Sequence, residues 1–260
     1  MSEEFQPMAT APPHYIEFQN VCKAFDLPVL VDVSFYVDAG RCLAIIGRSG
    51  VGKSVSLAHI MGFLKPDSGR IFVGGEDITD YNEAQLRKIR ERVTMVFQSG
   101  ALFDSLTARG NIEFSLESRS GRLPENADET VERLLDQVGI REYAGMYPSE
   151  LAVGVKRAVA IARALAADPE AVLYDEPTTM VDPHMSVHMT ALIARLNREL
   201  KLTSVVVTHD LELMRQVADD VVILHEGRVI YFGPVGEVER VEHPHIREFL
   251  ALDRMAAAIE

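Results

Sequence analysis

The stretch Gly47-Arg48-Ser49-Gly50-Val51-Gly52-Lys53-Ser54 decides how the rest of the chain is read. It matches G-x-x-x-x-G-K-[ST], a phosphate-binding loop. The apolar run 42–46 before it predicts a buried strand, and 53–61 after it predicts a helix. In that context each residue has a physical task. Glycine has no Cβ, so backbone N–H groups can turn inward around a phosphate. The helix that follows points the partial positive charge of its first turn at the same place. Lys53 can reach β- and γ-phosphates, Ser54 can offer its hydroxyl to Mg2+, and Val55 continues the loop into the helix. A nucleoside triphosphate is the expected ligand.

Further along, the apolar run 171–174 ends in Asp175-Glu176. After a phosphate loop, an aspartate at a strand end holds Mg2+ through its water shell, and the neighbouring glutamate orients and deprotonates an attacking water. The plainer reading is a pair of solvated acids. The phosphate loop and the following Pro177 favour the chemical one.

Around these two anchors the pattern is that of an α/β chain. Alternation over 15–19 and 31–37 predicts strands, and 65–69 a turn. Residues 70–73 and 93–97 predict further strands, Gly74-Gly75 a hairpin and 83–91 a charged helix. From about 100 to 165 the pattern is helical, with Val131, Leu134, Leu135 and Val138 on one face and Lys156, Arg157 and Arg163 on a later helix. A helix over 184–200, a strand over 203–208, another helix and a β-pair around Gly227 complete a mostly parallel sheet. The expected division is a tail over 1–13, a main domain over 14–240 carrying the helical insertion, and a helical extension over 241–260.

The 260 residues carry a net charge of −13, which leaves no basic footprint for nucleic acid. Apolar runs are of strand length, far below the roughly 20 residues that span a bilayer. The acidic start of the chain has no apolar signal core. Cys22 and Cys42 form no C-x-x-C pattern and read as two buried thiols in a reducing cytoplasm. His184 and His188 have the i, i+4 spacing of a metal pair, but without a glutamate between them they read as surface or packed histidines.

Taken together, the segments resemble the nucleotide-binding subunit of an ATP-binding-cassette (ABC) transporter over about residues 15–240. The resemblance implies an antiparallel β subdomain beside the core, and roles for several residues. Phe25 stacks on adenine. Gln98 senses Mg2+ and the lytic water. Asp182 in Val181-Asp182-Pro183 belongs to the D-loop, and His209 in Thr208-His209-Asp210 contacts the γ-phosphate. It also implies ATP and Mg2+ as cofactors and a head-to-tail homodimer. That dimer sits under integral-membrane permease subunits, on the cytoplasmic side of the inner membrane. Within the family, the stretches 52–55, 65–69 and 96–107 resemble the ATPases of MCE-type (mammalian-cell-entry domain) lipid transporters. Phospholipid or another lipid is then the cargo, and MCE-domain and accessory proteins are further partners.

One segment departs from the family pattern. Where the signature L-S-G-G-Q belongs, the chain reads Leu151-Ala152-Val153-Gly154-Val155. Ala152 lacks the serine hydroxyl, and Val153 replaces a glycine whose conformation valine does not adopt cheaply. The expectation is a slow hydrolase with a weakened closed dimer. A non-hydrolysing regulatory module and a soluble non-transport ABC ATPase are the alternatives.

Overall fold

Strand β3 (Cys42–Ile46) is buried at all five positions, because it runs through the middle of a sheet covered on both faces. The computed structural model describes residues 14–257, so the tail expected over 1–13 lies outside the described residues. The six strands of this sheet lie in the order β10 (Arg228–Pro234), β9 (Asp220–His225), β3, β8 (Thr203–Thr208), β7 (Ala171–Asp175), β6 (Val93–Val96). All neighbours are parallel except β10, which closes the edge as a hairpin with β9. A second sheet, β2 (Pro28–Val37), β1 (Ile16–Ala24), β4 (Ser68–Val73) and β5 (Glu76–Asp77), is antiparallel throughout. This is the α/β architecture expected, with its antiparallel β portion.

Strand register decides where the chemistry goes. Ile46 lies opposite Thr208, Asp175 opposite Val207, and Val96 opposite Tyr174. The C-terminal ends of β3, β6, β7 and β8 are therefore nearly level. The residues that follow them, Gly47, Gln98, Glu176 and His209, open on one edge, where α/β sheets bind ligands.

Helix α1 (Lys53–Ile60) covers one face of the sheet, and α2 (Glu83–Arg92) precedes β6. Between β6 and β7 come α3 (Ala108–Ser120), α4 (Ala127–Gln137) and α5 (Val153–Ala166). They share a core of Ile112, Val131, Leu135 and Ile161 that continues into Val172 and Tyr174 of β7. Helices α6 (Pro183–Leu200) and α7 (Leu211–Val217) flank β8. None of the helices among the described residues is long and apolar enough to cross a membrane.

Two sequence expectations need correction. The first strand does not stop at Gln19: β1 runs on to Ala24 through a bulge where Asn20 adopts φ +51°. The extra residue breaks the two-residue alternation that marks a strand, so a pattern search ends too early. Cys22 is half-buried, not buried, with Sγ accepting from the Asp32 N–H at 3.2 Å. The last helix, α8 (Pro244–Ala257), packs onto its own chain. Ile246 and Leu250 are buried against Ala44, Ile46, Leu211 and Met214.

Candidate functional site

The loop 47–52 wraps the N-terminus of α1, and its glycines are there for two different reasons. A Cβ on Gly47 would meet the Leu224 carbonyl oxygen at 2.5 Å, and one on Gly52 would meet Leu30 at 2.6 Å. Gly50 has open space around it but φ +82°, which a side chain disfavours. No side chain caps α1, so its first N–H groups remain free to bind an anion. The loop borders a cavity of about 740 Å³ together with Val29, Gln98, Glu176, Thr179, His209, Leu211 and Phe249.

Lys53 is buried in that cavity. Its ammonium donates to the Gly47 carbonyl at 2.9 Å and the Arg48 carbonyl at 3.3 Å, and lies 3.4 Å from Glu176 Oε1. A cation held among oxygens in this way is a ready counter-charge for a polyphosphate. Ser54 Oγ donates to Asp175 Oδ1 at 2.9 Å. A hydroxyl and a carboxylate at this spacing are hard oxygen ligands of the kind Mg2+ takes. Burial raises the Asp175 pKa, opposed by the Ser54 hydrogen bond, and a divalent cation would favour its charged form.

Glu176 is the most constrained residue here. Its φ is +47°, in the left-handed region, at a cost on the order of 1 kcal/mol for a non-glycine residue. Three bonds hold it there. Its N–H donates to the Val207 carbonyl, Thr179 Oγ1 donates to Oε2 at 3.0 Å, and His209 Nδ1 lies 2.8 Å from the same oxygen. The strained backbone turns the carboxylate into the cavity between Lys53 and His209, within reach of a water that either could polarise.

Of the residues singled out from the sequence, Arg48, Ser49, Gly50, Gly52, Lys53, Ser54, Val55, Gln98, Glu176 and His209 line this one cavity. Gly47 and Asp175 reach it through their hydrogen bonds with Lys53 and Ser54, and Val51 packs within the loop against Gly47. Phe25 does not line it. Its ring is exposed in the β1–β2 turn, with the Lys23 ammonium 5.7 Å from the centroid. Ala152, Val153 and Gly154 are also elsewhere, at the start of α5, and Gly154 borders a second cavity with Met185 and Met189. Val153 is helical and has no positive φ. The conformational penalty expected for valine at this position is therefore absent, and only its bulk remains.

Asp182 caps α6, accepting from the Met185 N–H at 3.0 Å. Asp182→Ala should cost about 1 kcal/mol of stability in urea unfolding, and Asp182→Asn only a fraction of that, because asparagine caps as well.

Two arginines that the sequence marks only as basic residues on a helix tie α5 to the Gln98 segment. Buried Arg157 donates to the Phe97 carbonyl at 2.9 Å and the Thr179 carbonyl at 3.4 Å. Arg163 donates to the carbonyls of Ala101 and Gly100 at 2.6 and 3.0 Å. They staple the segment around Gln98 to α5, and burial lowers the pKa of both. Their one sequence signal is that, with Lys156, they are the basic residues of a mostly apolar helix.

With this geometry, similarity to known proteins is informative. A family model described as ABC transporter matches residues 30–179. The methionine import ATP-binding protein MetN 2 of Pseudomonas entomophila is 38% identical over 92% of this chain and 73% of its own length. MetN of Corynebacterium efficiens is 40% identical, over 86% of this chain and 64% of its own. Among solved structures, the ATP-binding cassette MJ0796, a dimer in a post-hydrolysis state bound to ADP and Pi, is similar at a TM-score of 0.78. It is 30% identical and covers 85% of this chain and 98% of its own. CbiO1 of Clostridium perfringens, part of the ABC transporter complex cbiONQ, has a TM-score of 0.80. It is 28% identical and covers 95% of this chain and 99% of its own. The chain therefore belongs to the ABC transporter family, as an ATP-hydrolysing, transport-coupled subunit.

Proposed function

We propose that two copies of this chain pair head to tail on two MgATP molecules and pass the closing and opening of that dimer to membrane permease subunits. The observation that carries the reading is the convergence of Lys53, the Ser54–Asp175 pair, the Glu176–His209 pair and Gln98 on a single cavity. Glu176 takes a proton from water as the oxygen attacks the γ-phosphorus, ADP leaves, and His209 holds the carboxylate and the γ-phosphate in line. Lys53 and the loop N–H groups neutralise charge that builds on the phosphate oxygens. Mg2+, held by Ser54, Asp175 and Gln98, supplies further charge neutralisation when bound. Phe25, outside the cavity lining, is assigned to the adenine on the family resemblance, and Ala152, Val153, Gly154 and Asp182 to the partner's nucleotide.

The cargo is chosen by the permease, so the part of a cassette that faces the permease says most about it. Here that part is the segment after Gln98, and its resemblance is to MCE-type ATPases, which favours phospholipid or another lipid. The names of the MetN relatives favour a second reading, methionine import. Purification of the full chain from its native membranes separates them. Co-purification of an MCE-domain protein, with ATPase activity raised by phospholipid vesicles, is the expected result. Stimulation by methionine would establish the second reading instead. A chain that leaves the membrane fraction without any integral partner would overturn both.

A further inference from the structure

Glu248 and Phe249, on the C-terminal helix α8, stand about 200 residues from the phosphate loop in sequence yet meet it in space. Arg48 Nη2, at the mouth of the nucleotide cavity, donates to Glu248 Oε1 at 2.8 Å. The next side chain, Phe249, forms part of the wall of that cavity beside Leu211. The helix that presents them is anchored, since Ile246 and Leu250 are buried among Leu211, Met214 and Ile223. At its start, His245 stacks on His225 of β9 at 3.9 Å, and its Nδ1 lies 3.8 Å from the second oxygen of Glu248. The carboxylate is thus held between His245 and Arg48.

We propose that Glu248 competes with nucleotide phosphate for the guanidinium of Arg48, so that α8 sets how readily the loop accepts ATP. A guanidinium offers a planar fork of donors that fits a phosphate as well as it fits a carboxylate. Arg48 and Glu248 are 60% and 55% exposed. An exposed pair of this kind is weak, and an anion of higher charge displaces it. Their bond is therefore a restraint that ATP overcomes, not a lock. With Glu248 engaged, the Arg48 guanidinium is held against α8 at the mouth of the cavity; with Glu248 released, it is free to serve as a second cation beside Lys53. Glu248 is accordingly a positioning residue, acting on the nucleotide through Arg48.

The proposal rests on the nucleotide-binding reading above, and one set of measurements separates the two. The full chain carrying Glu176→Gln, which holds ATP unhydrolysed, is compared with the same chain carrying Glu248→Gln, Arg48→Gln, or both, by equilibrium dialysis of labelled ATP with Mg2+. Glu248→Gln should tighten ATP binding roughly two- to five-fold, the range set by an exposed ion pair, with no change in melting temperature. In the Arg48→Gln background the same change should have no effect. An unaltered or weaker affinity in Glu248→Gln would overturn the proposal. So would an equal gain with Arg48 absent, which would mean simple repulsion between Glu248 and the phosphates. If the parent chain binds no ATP at all, the nucleotide reading falls, and this one with it.

Discussion

Glu176→Gln should lower ATP turnover of the membrane-purified complex by about 10²- to 10⁴-fold, the share a positioned general base supplies. The substitution keeps the volume of the side chain and an oxygen that can still accept from Thr179 or His209. It removes the carboxylate proposed to take the proton from water. Glutamine meets the same φ of +47° as glutamate, so it adds no new backbone strain. Lys53 loses one partner but keeps the carbonyls of Gly47 and Arg48, and ATP binding should stay within a few-fold of the parent. Phosphate release and nucleotide affinity, measured side by side, check this. Equal, background-level turnover in both proteins would mean that hydrolysis is not running through Glu176, and would favour the regulatory reading.

Much of this site was legible because a short motif determines its surroundings. A phosphate loop needs a strand before it and a helix after it, and both are visible as apolar and periodic runs in the chain. Once β3 is central and its neighbours are parallel, the register brings Gln98, Glu176 and His209 to the same edge as Lys53. Contacts between distant elements were not legible. Nothing local to Arg157 or Arg163 says that their guanidinium groups meet carbonyls some 60 residues away. Nothing local to Glu248 says that it lies against Arg48. The bulge at Asn20 hid half of β1 for the opposite reason: it is a local feature that disrupts the very alternation used to recognise a strand. The choice of cargo is the least legible. In the proposed assembly it is made by the permease, and overall identity and the resemblance of a few short stretches point to different transporters.

Restoring the missing groups at the start of α5, with Ala152→Ser and Val153→Gly together, should raise turnover of the complex about ten-fold or more. Ala152 is the N-cap of α5, with extended backbone at φ −63° and ψ 155° and no side-chain cap bond. A serine there can do two things at once. Its oxygen accepts from an N–H of the first helical turn, worth about 1 kcal/mol to the fold. Its hydroxyl hydrogen remains free for a partner's phosphate, worth about 1.5–3 kcal/mol because the acceptor is charged. Val153 follows on the first turn and is 46% exposed. Its backbone is already helical, so glycine there relieves bulk between the helix end and the partner's nucleotide and not a forbidden conformation. That glycine costs α5 roughly 0.5–1 kcal/mol, close to what the new cap returns. Stability should therefore change little while turnover rises, and the two readouts separate a gain at the nucleotide from a better-folded subunit. Gly154 must be left alone, because a Cβ there would overlap Met185 Cγ. Unchanged turnover with stability intact would show that closure on the partner's phosphate does not limit this enzyme. The altered segment would then be a tolerated substitution and not a brake, and the slow step would have to lie on the α8 side of the cavity or in the permease.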